Sequence, residues 1–408
     1  MTSSHIDSQD EATPLNNGIN NTRPSPQTEA SSSPLATHVN FHDTQLTNDL
    51  LGFVMAEDID ILRRSQSNRF LISPQLRQSP FYNLYESLFL NDRFPFVDLN
   101  EIESRADSII SHKPLSVLEF AQARFLYGYA AFNGNCRASN KLCVLKQENA
   151  DLLPEFESFL KAQCELEDPF AMHMLAVHFY SRELYAEAFN LWRRAADNQF
   201  ILSFNRLGGC YSFAQGIEKN FRTAYQLVST GVINGDIAAM NDLAWYFVSG
   251  KVPQDIIHKA KSKALSLLST ALLHGFVYGF YHLGCIFLYN DVRPRGFDRF
   301  AQIDFARRCF VEGASRNSLA CLRALLDFFP GVDQRQRDEW SRKVNELNGG
   351  DDDNHKSRTL DSLLAVPAEY YITLNPPVVV IEVDNSPKDD EIKAAFAKRR
   401  QNRQNTKL

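Results

Sequence analysis

Two histidines, His173 and His178, stand five residues apart, and histidine is the side chain that ligates zinc or moves protons near neutral pH. On a helix that spacing turns the second ring about 140° away from the first, so the pair does not clamp one ion. Cys210 and Cys285 occupy similar positions in two related segments, but no histidine or basic residue recurs beside them to hold a thiolate. Asp351, Asp352 and Asp353 open like a calcium loop, yet the glycine and distal glutamate that such a loop needs are missing. The chain has no HExxH, no phosphate loop of the Walker type, no GxSxG and no GxGxxG on a strand. These residues point to no catalytic group, no metal and no cofactor. An enzyme with a site in the 46–165 region is the weakest reading, because no nucleophile, base and orienting group can be seen together.

The elements around these residues carry a much stronger signal. One frame recurs four times: Ala171-x-x-x-Leu175-Ala176-x-x-Phe179, Ser203-x-x-x-Leu207-Gly208-x-x-Tyr211, Ala239-x-x-x-Leu243-Ala244-x-x-Phe247 and Gly279-x-x-x-Leu283-Gly284-x-x-Phe287. A weaker fifth copy carries Cys321 and Leu325. Second helices follow at 185–198, 221–234, 259–274 and 300–316, and they align through Ala195, Gly231, Ala271 and Gly313. Self-similarity at this period marks a stacked solenoid. The small residues let helices approach closely, while the leucine and the aromatic one turn later fill the groove between them, which makes Leu207, Leu243 and Leu283 core residues.

Of the 408 residues 44% are hydrophobic and the formal net charge is −6, a balance that gives no support to a generally basic nucleic-acid binder. Seven cysteines without a CxxC pair point to reduced thiols in a cytosol-like compartment. Residues 264–290 contain no Asp, Glu, Lys or Arg and are long enough to span a bilayer. The repeat alignment favours a different reading, two buried helices joined by a turn at Gly275, over a span that would place His274 and His282 in lipid.

Five regions follow. Residues 1–45 read as a disordered polar tail. Residues 46–165 read as a helical capping region for the first repeat's open face, and Ala123, Tyr127, Gly128 and Ala131 within it echo the frame. Residues 166–330 are the repeats, and 331–348 a final capping helix. Residues 349–408 hold a linker, a short extended run PPVVVIEV and a tail with Lys398, Arg399, Arg400, Arg403 and Lys407.

Leu-Gly followed by an aromatic, as in Leu207-Gly208 and Leu283-Gly284, together with Trp192 to Ala196 and the late Asn234-Gly235, resembles the Sel1-like repeat, a relative of the tetratricopeptide repeat. The resemblance covers the repeat region. The first unit lacks several turn residues and the last carry insertions around Arg293 to Phe300; a plain tetratricopeptide array is the alternative. The expected fold is an all-α, right-handed α-solenoid of helix pairs with non-repeat helical end pieces. Proteins of this family act mostly as adaptors and scaffolds, in bacteria often in envelope, secretion or host-interaction roles and in fungi in cell-wall regulation.

If the helices stack as in related repeats, the residues two before and two after the frame leucine line the concave side: His173 and Val177, Asn205 and Gly209, Asn241 and Trp245, Tyr281 and Cys285. His173, Asn205, Asn241, Trp245 and Tyr281 are the expected contacts for a peptide or helix of a partner protein, the asparagines through its backbone and the aromatics through its side chains. Trp245 and Tyr281 suit a core between repeats equally well, and the pattern leaves both open. The expectation is a cytoplasmic adaptor without nucleic acid or a membrane span. The alternative is a bacterial effector exported without a cleavable signal, using the same surface on a host protein.

Overall fold

The computed structural model describes residues 41–61, 72–90, 98–248, 260–289, 297–329 and 333–347, all within the unit His38–Leu408. Before the repeats come α1 Thr44–Phe53, α2 Pro74–Arg77, α3 Tyr82–Phe89, α4 Leu99–Ile110, α5 Val117–Phe132, α6 Cys136–Glu148 and α7 Leu153–Glu165, with residues 56–61 also helical. Helix pairs then follow as α8 Pro169–Tyr180 with α9 Tyr185–Asp197, and α10 Ile201–Phe213 with α11 Phe221–Ile233. Next come α12 Ile237–Val248 with α13 Ala260–Leu273, and α14 Tyr278–Tyr289 with α15 Arg299–Ser315. α16 Leu319–Phe328 starts a fifth unit and α17 Gln334–Leu347 covers it. Among the described residues there is no strand. The all-α array of helix pairs is the fold that the frame implied.

The frame residues do what their sizes require. Leu175, Leu207, Leu243, Leu283 and Leu325 are all buried. A methyl group on Gly208 would stand 2.6 Å from Val228 Cγ2 of α11, and one on Gly284 would stand 2.5 Å from the Phe310 ring of α15. The small residues of the second helices serve the next unit in the same way. Gly231 faces Ala239 of α12, and Gly313 faces Cys321 of α16 at a distance only a glycine permits. Helix faces therefore meet backbone to side chain, and a slot vacated by one residue is filled by a larger one opposite.

A single turn geometry joins the units. Gly134, Glu167, Gln199, Gly235, Gly275 and Asn317 all have positive φ, between 58° and 108°. In each case the next residue donates its N–H to the carbonyl five positions back: Asn135 to Ala130, Asp168 to Gln163, Phe200 to Ala195, Asp236 to Gly231, Phe276 to Ala271 and Ser318 to Gly313. This closes the free carbonyls of one helix end in a Schellman motif. Asn135, Asp168, Asp236 and Ser318 then accept from the first N–H groups of the following helix. The turn recurs at Gly134 and Glu167, so the region before residue 166 shares the joint of the repeats.

The N-terminal segments run along the array instead of simply covering its first face. Phe41, at the end of the expected disordered tail, is buried against Phe280 at 5.7 Å, and Asp43 caps α1. From α1 onward the chain sits on the third and fourth pairs. Phe53 meets Phe287 and Phe305 at 5.8 and 5.6 Å, Met55 N donates to Ser266 Oγ at 2.8 Å, and Arg308 donates to Asp49 at 2.8 Å. Residues 72–90 lie on the first two pairs, where Phe81 stacks on Phe170 at 4.9 Å and Ser79 donates to Asp168 Oδ2 at 2.7 Å. The 46–165 boundary thus joins two different things, a strap of N-terminal segments and the α4–α7 layer beside the first pair.

The array also curls back on that layer. Val277 N donates to Asn133 O at 3.1 Å, and Asn140 Nδ2 donates to Leu347 O at 2.8 Å. Residues 264–289 form α13, a turn at 274–277 and α14, and among the described residues no helix is long and apolar enough to cross a membrane. The expected tail up to residue 40 and the segment 349–408 lie outside the described residues.

Gly284→Ala should lower unfolding stability in urea by about 1–3 kcal/mol, because the Phe310 ring must move. Gly209→Ala, with nothing within 4 Å of the added carbon, should leave stability unchanged or raise it by up to ~1 kcal/mol through helix propensity. Gln199→Gly should raise it by roughly 0.5–1 kcal/mol, since glycine relieves the left-handed backbone at this exposed turn. Equal effects of the two alanine variants would show that close approach at Gly284 does not govern packing.

Candidate binding cavity on the inner face

The five residues expected to face a partner are buried. His173, Asn205, Asn241, Trp245 and Tyr281 each expose 6% or less of their surface. Their polar groups bridge neighbouring units. His173 Nδ1 and Ser203 Oγ lie 3.0 Å apart, and His282 of α14 bonds Asn241 Oδ1 of α12 through Nδ1. Asn241 Nδ2 donates to Asp242 at 3.1 Å. Burial holds the His173 ring well below the usual histidine range and brings His282 down to about 4, so both rings are neutral at pH 7. Trp245 packs at 6.1 Å from Phe213 of the preceding pair, and Tyr281 at 6.2 Å from Phe310. The open concave contact surface expected at these slots is therefore replaced by an inter-repeat core, because tight curling brings consecutive first helices together there.

His178 is also separate from His173 in function. Its Nε2 lies 3.3 Å from Glu157 Oε2 and its Nδ1 lies 3.2 Å from Arg124 Nη2. A guanidinium only donates, so Nδ1 is the acceptor and Nε2 carries the proton. Burial and the neighbouring Arg124 push this histidine down to about 4. Cys210 and Cys285 are buried, and burial raises both thiols to about 12, which leaves them protonated and unreactive. None of the seven cysteines is in a disulfide.

His173 and Val177 do reach a cavity, of about 90 Å³, between α5–α7 and the first helices of the first three pairs. α5 contributes Arg124, Tyr129 and Phe132, α6 contributes Leu142 and Lys146, and α10 contributes Leu202 and Arg206. Asp236 closes it at the start of α12. The Arg206 guanidinium lies 3.7 Å from the centre of the Phe132 ring, a cation–π contact. Arg124 stands 4.4 Å from the Phe156 ring. Burial lowers Arg124 to about 10, and burial with the charge of Arg124 lowers Lys146 to about 8. Asp236 is raised to about 7, mainly by burial, although its Oδ1 accepts from Ala238 N at 3.0 Å.

Sequence reasoning did not single out Arg124, Lys146, Arg206 or Asp236. A faint signal existed for one of them: Arg124 follows Ala123 in the stretch that echoes the frame, so a charge was placed beside a position built for close packing. Among the described residues, no group of three His, Cys, Asp or Glu is arranged to hold a metal ion.

No protein-family profile and no curated protein matches the sequence. Among solved structures, the chain is similar to a Sel1 repeat protein from Oxalobacter formigenes, with 20% identity over 56% of this chain and 96% of that one and a TM-score of 0.34. It is also similar to c5321, a protective antigen of uropathogenic Escherichia coli strains that displays an SLR fold, with 17% identity over 83% of this chain and 74% of that one and a TM-score of 0.35. The repeat assignment rests on the buried frame, its close helix approaches and the recurring turn. The chain is a helical-repeat protein.

Asp236 offers a test of the cavity's electrostatics in this repeat protein. A carboxyl whose folded pKa lies above its unfolded value contributes stability below pH ~4, and that contribution is lost as pH rises through about 7. Asp236→Asn keeps an acceptor for the Ala238 N–H and does not titrate. It should match the wild type near pH 4 and exceed it by on the order of 2–4 kcal/mol at pH 8, measured by denaturant unfolding. A difference independent of pH would place the ionised carboxylate in a well-compensated site.

Proposed function

We propose that the chain is a protein-interaction module, an adaptor or scaffold, that takes a segment of a partner protein at the inner-face cavity. One observation carries the reading: the cavity is the place where α5, α6 and the first helices of successive pairs converge on a shared space that combines apolar walls with charged groups. Recognition sites commonly combine these two properties, with polar groups fixing orientation and apolar surface supplying affinity. A peptide or helix of the partner would enter beside Val177 and Leu202, not at the buried slots of Asn241 and Trp245.

Catalysis is the weaker reading of the same geometry. His173 and Ser203 form a serine–histidine pair, but Ser203 has no exposed surface and no substrate atom can reach it. A cytosol-like compartment fits seven cysteines without a disulfide.

A photo-crosslinking amino acid placed at Val177 should capture a discrete partner from cells that express the chain. The same group at Ile233, which is 48% exposed on the outer side of α11, should not capture that partner. Equal capture from both positions would remove the cavity from the interaction.

A further inference from the structure

The inner-face cavity holds two cations, Arg124 and Lys146, for which no ion pair forms among the described residues. Arg124 is 9% exposed, and its Nη1 has no hydrogen-bond partner. Its nearest polar contact is the neutral ring of His178, which accepts one N–H and passes the interaction on to Glu157. Glu157 is itself committed to Lys161 and Arg182, at 2.7 and 3.0 Å. Lys146 lines the same space, and the groups acting on it are Arg124, which repels it, and the Cys143 thiol; no carboxylate is among them. Arg206 stands on the other side, where Asp236 and Asp242 act on it. Charge held in a partly dry site without a partner is costly, and interiors normally supply one.

The walls narrow the chemistry. Phe125, Phe132, Leu142 and Met174 line the space around the two cations, so a ligand needs an apolar portion as well as an anionic head. A volume of about 90 Å³ holds several water-sized volumes at roughly 10–15 Å³ each. That suits one acidic side chain or a small monocarboxylic acid.

We infer that the cavity is a carboxylate site, with Arg124 and Lys146 in direct contact with the carboxylate and the apolar walls holding a short aliphatic stem. A carboxylate would accept from Arg124 Nη1 and from the Lys146 ammonium at once, and charge-assisted bonds of this kind are the strong ones. The inference rests on the interaction reading above only for the source of the acid: a glutamate or aspartate of a partner peptide, or a free small acid.

The test uses the full chain and two probes. In the first arm, 4-methylpentanoate and its uncharged twin 4-methylpentanamide are titrated by ligand-observed NMR. The acid should bind at least tenfold more tightly than the amide. Lys146→Gln and Arg124→Gln should each remove at least tenfold of that affinity, while Lys146→Arg retains it; circular dichroism melting identifies any variant that fails to fold. Absence of binding, equal binding of acid and amide, or an unchanged affinity in a folded Lys146→Gln protein overturns the site. In the second arm, arrays of random hexapeptides with a fixed glutamate are compared with twins carrying glutamine. Glutamate-dependent capture that Lys146→Gln abolishes supports the site with a peptide as its source. Binding of the acid without glutamate-dependent capture supports the site with a free acid as its ligand and overturns the peptide-capture reading.

Discussion

The distance of closest approach between neighbouring helices is the constraint on which the rest depends. Gly208 against Val228, Gly284 against Phe310 and Gly313 against Cys321 each leave no room for even one methyl group, and Gly231 against Ala239 leaves a tight 3.1 Å. The approaches at Gly208 and Gly284 close the two helices of a pair and those at Gly231 and Gly313 join one pair to the next, and the array so stacked curls back on the α4–α7 layer. Curling is what buries His173, Asn241 and Tyr281, because the inner slots of consecutive first helices then face one another instead of solvent. It also brings Val277 within hydrogen-bond distance of Asn133 and leaves a cavity of about 90 Å³ on the inner face.

The cavity holds charged groups where the core between units holds neutral polar ones. Inside the array, histidine and asparagine are held neutral and bonded across units, as His282 is to Asn241, so they add specificity of register at little electrostatic cost. Where α5 and α6 meet the first pairs, the residues are Arg124, Lys146 and Arg206, and their charges are only partly answered. His178 shows how the fold limits that cost. It stays neutral between Glu157 and Arg124, orienting both without adding a third charge. Buried charge tolerated in this way is a poor device for stability, and it is the observation on which the proposed carboxylate site rests.

The repeating core was legible because it is written in residue size at a fixed spacing. Leu207, Leu243 and Leu283 announced themselves, and the uncharged run from 264 to 289 resolved into α13, a turn and α14 once the frame was aligned. The direction in which a slot faces was not legible in the same way. A residue two before the frame leucine points inward in any stacked array, but whether inward means groove or core depends on curvature. Curvature in turn depends on contacts such as Asn133 with Val277, which lie far apart in sequence and have no local pattern. The cavity cations escaped notice for a related reason: a lone Lys or Arg on a helix reads as a solvated residue, and only the packing of α5 and α6 against α8 and α10 encloses Arg124 and Lys146. The strap from Phe41 to Asp58 was hidden because its seat is more than 200 positions away.

That last feature bears on how the chain is made. Met55 pairs with Ser266 across 211 positions of sequence, and His42 with Glu312 across 270. A ribosome adding about 5–20 residues per second releases the first helix on the order of ten seconds or more before its docking surface exists. During that interval Leu46, Leu50 and Phe53 have no native surface to cover. The pairs α8 to α11 can meanwhile assemble from local contacts. Native packing of the strap from Phe41 to Asp58 thus waits on the third and fourth pairs, and its apolar face stays without that cover for as long as their translation takes.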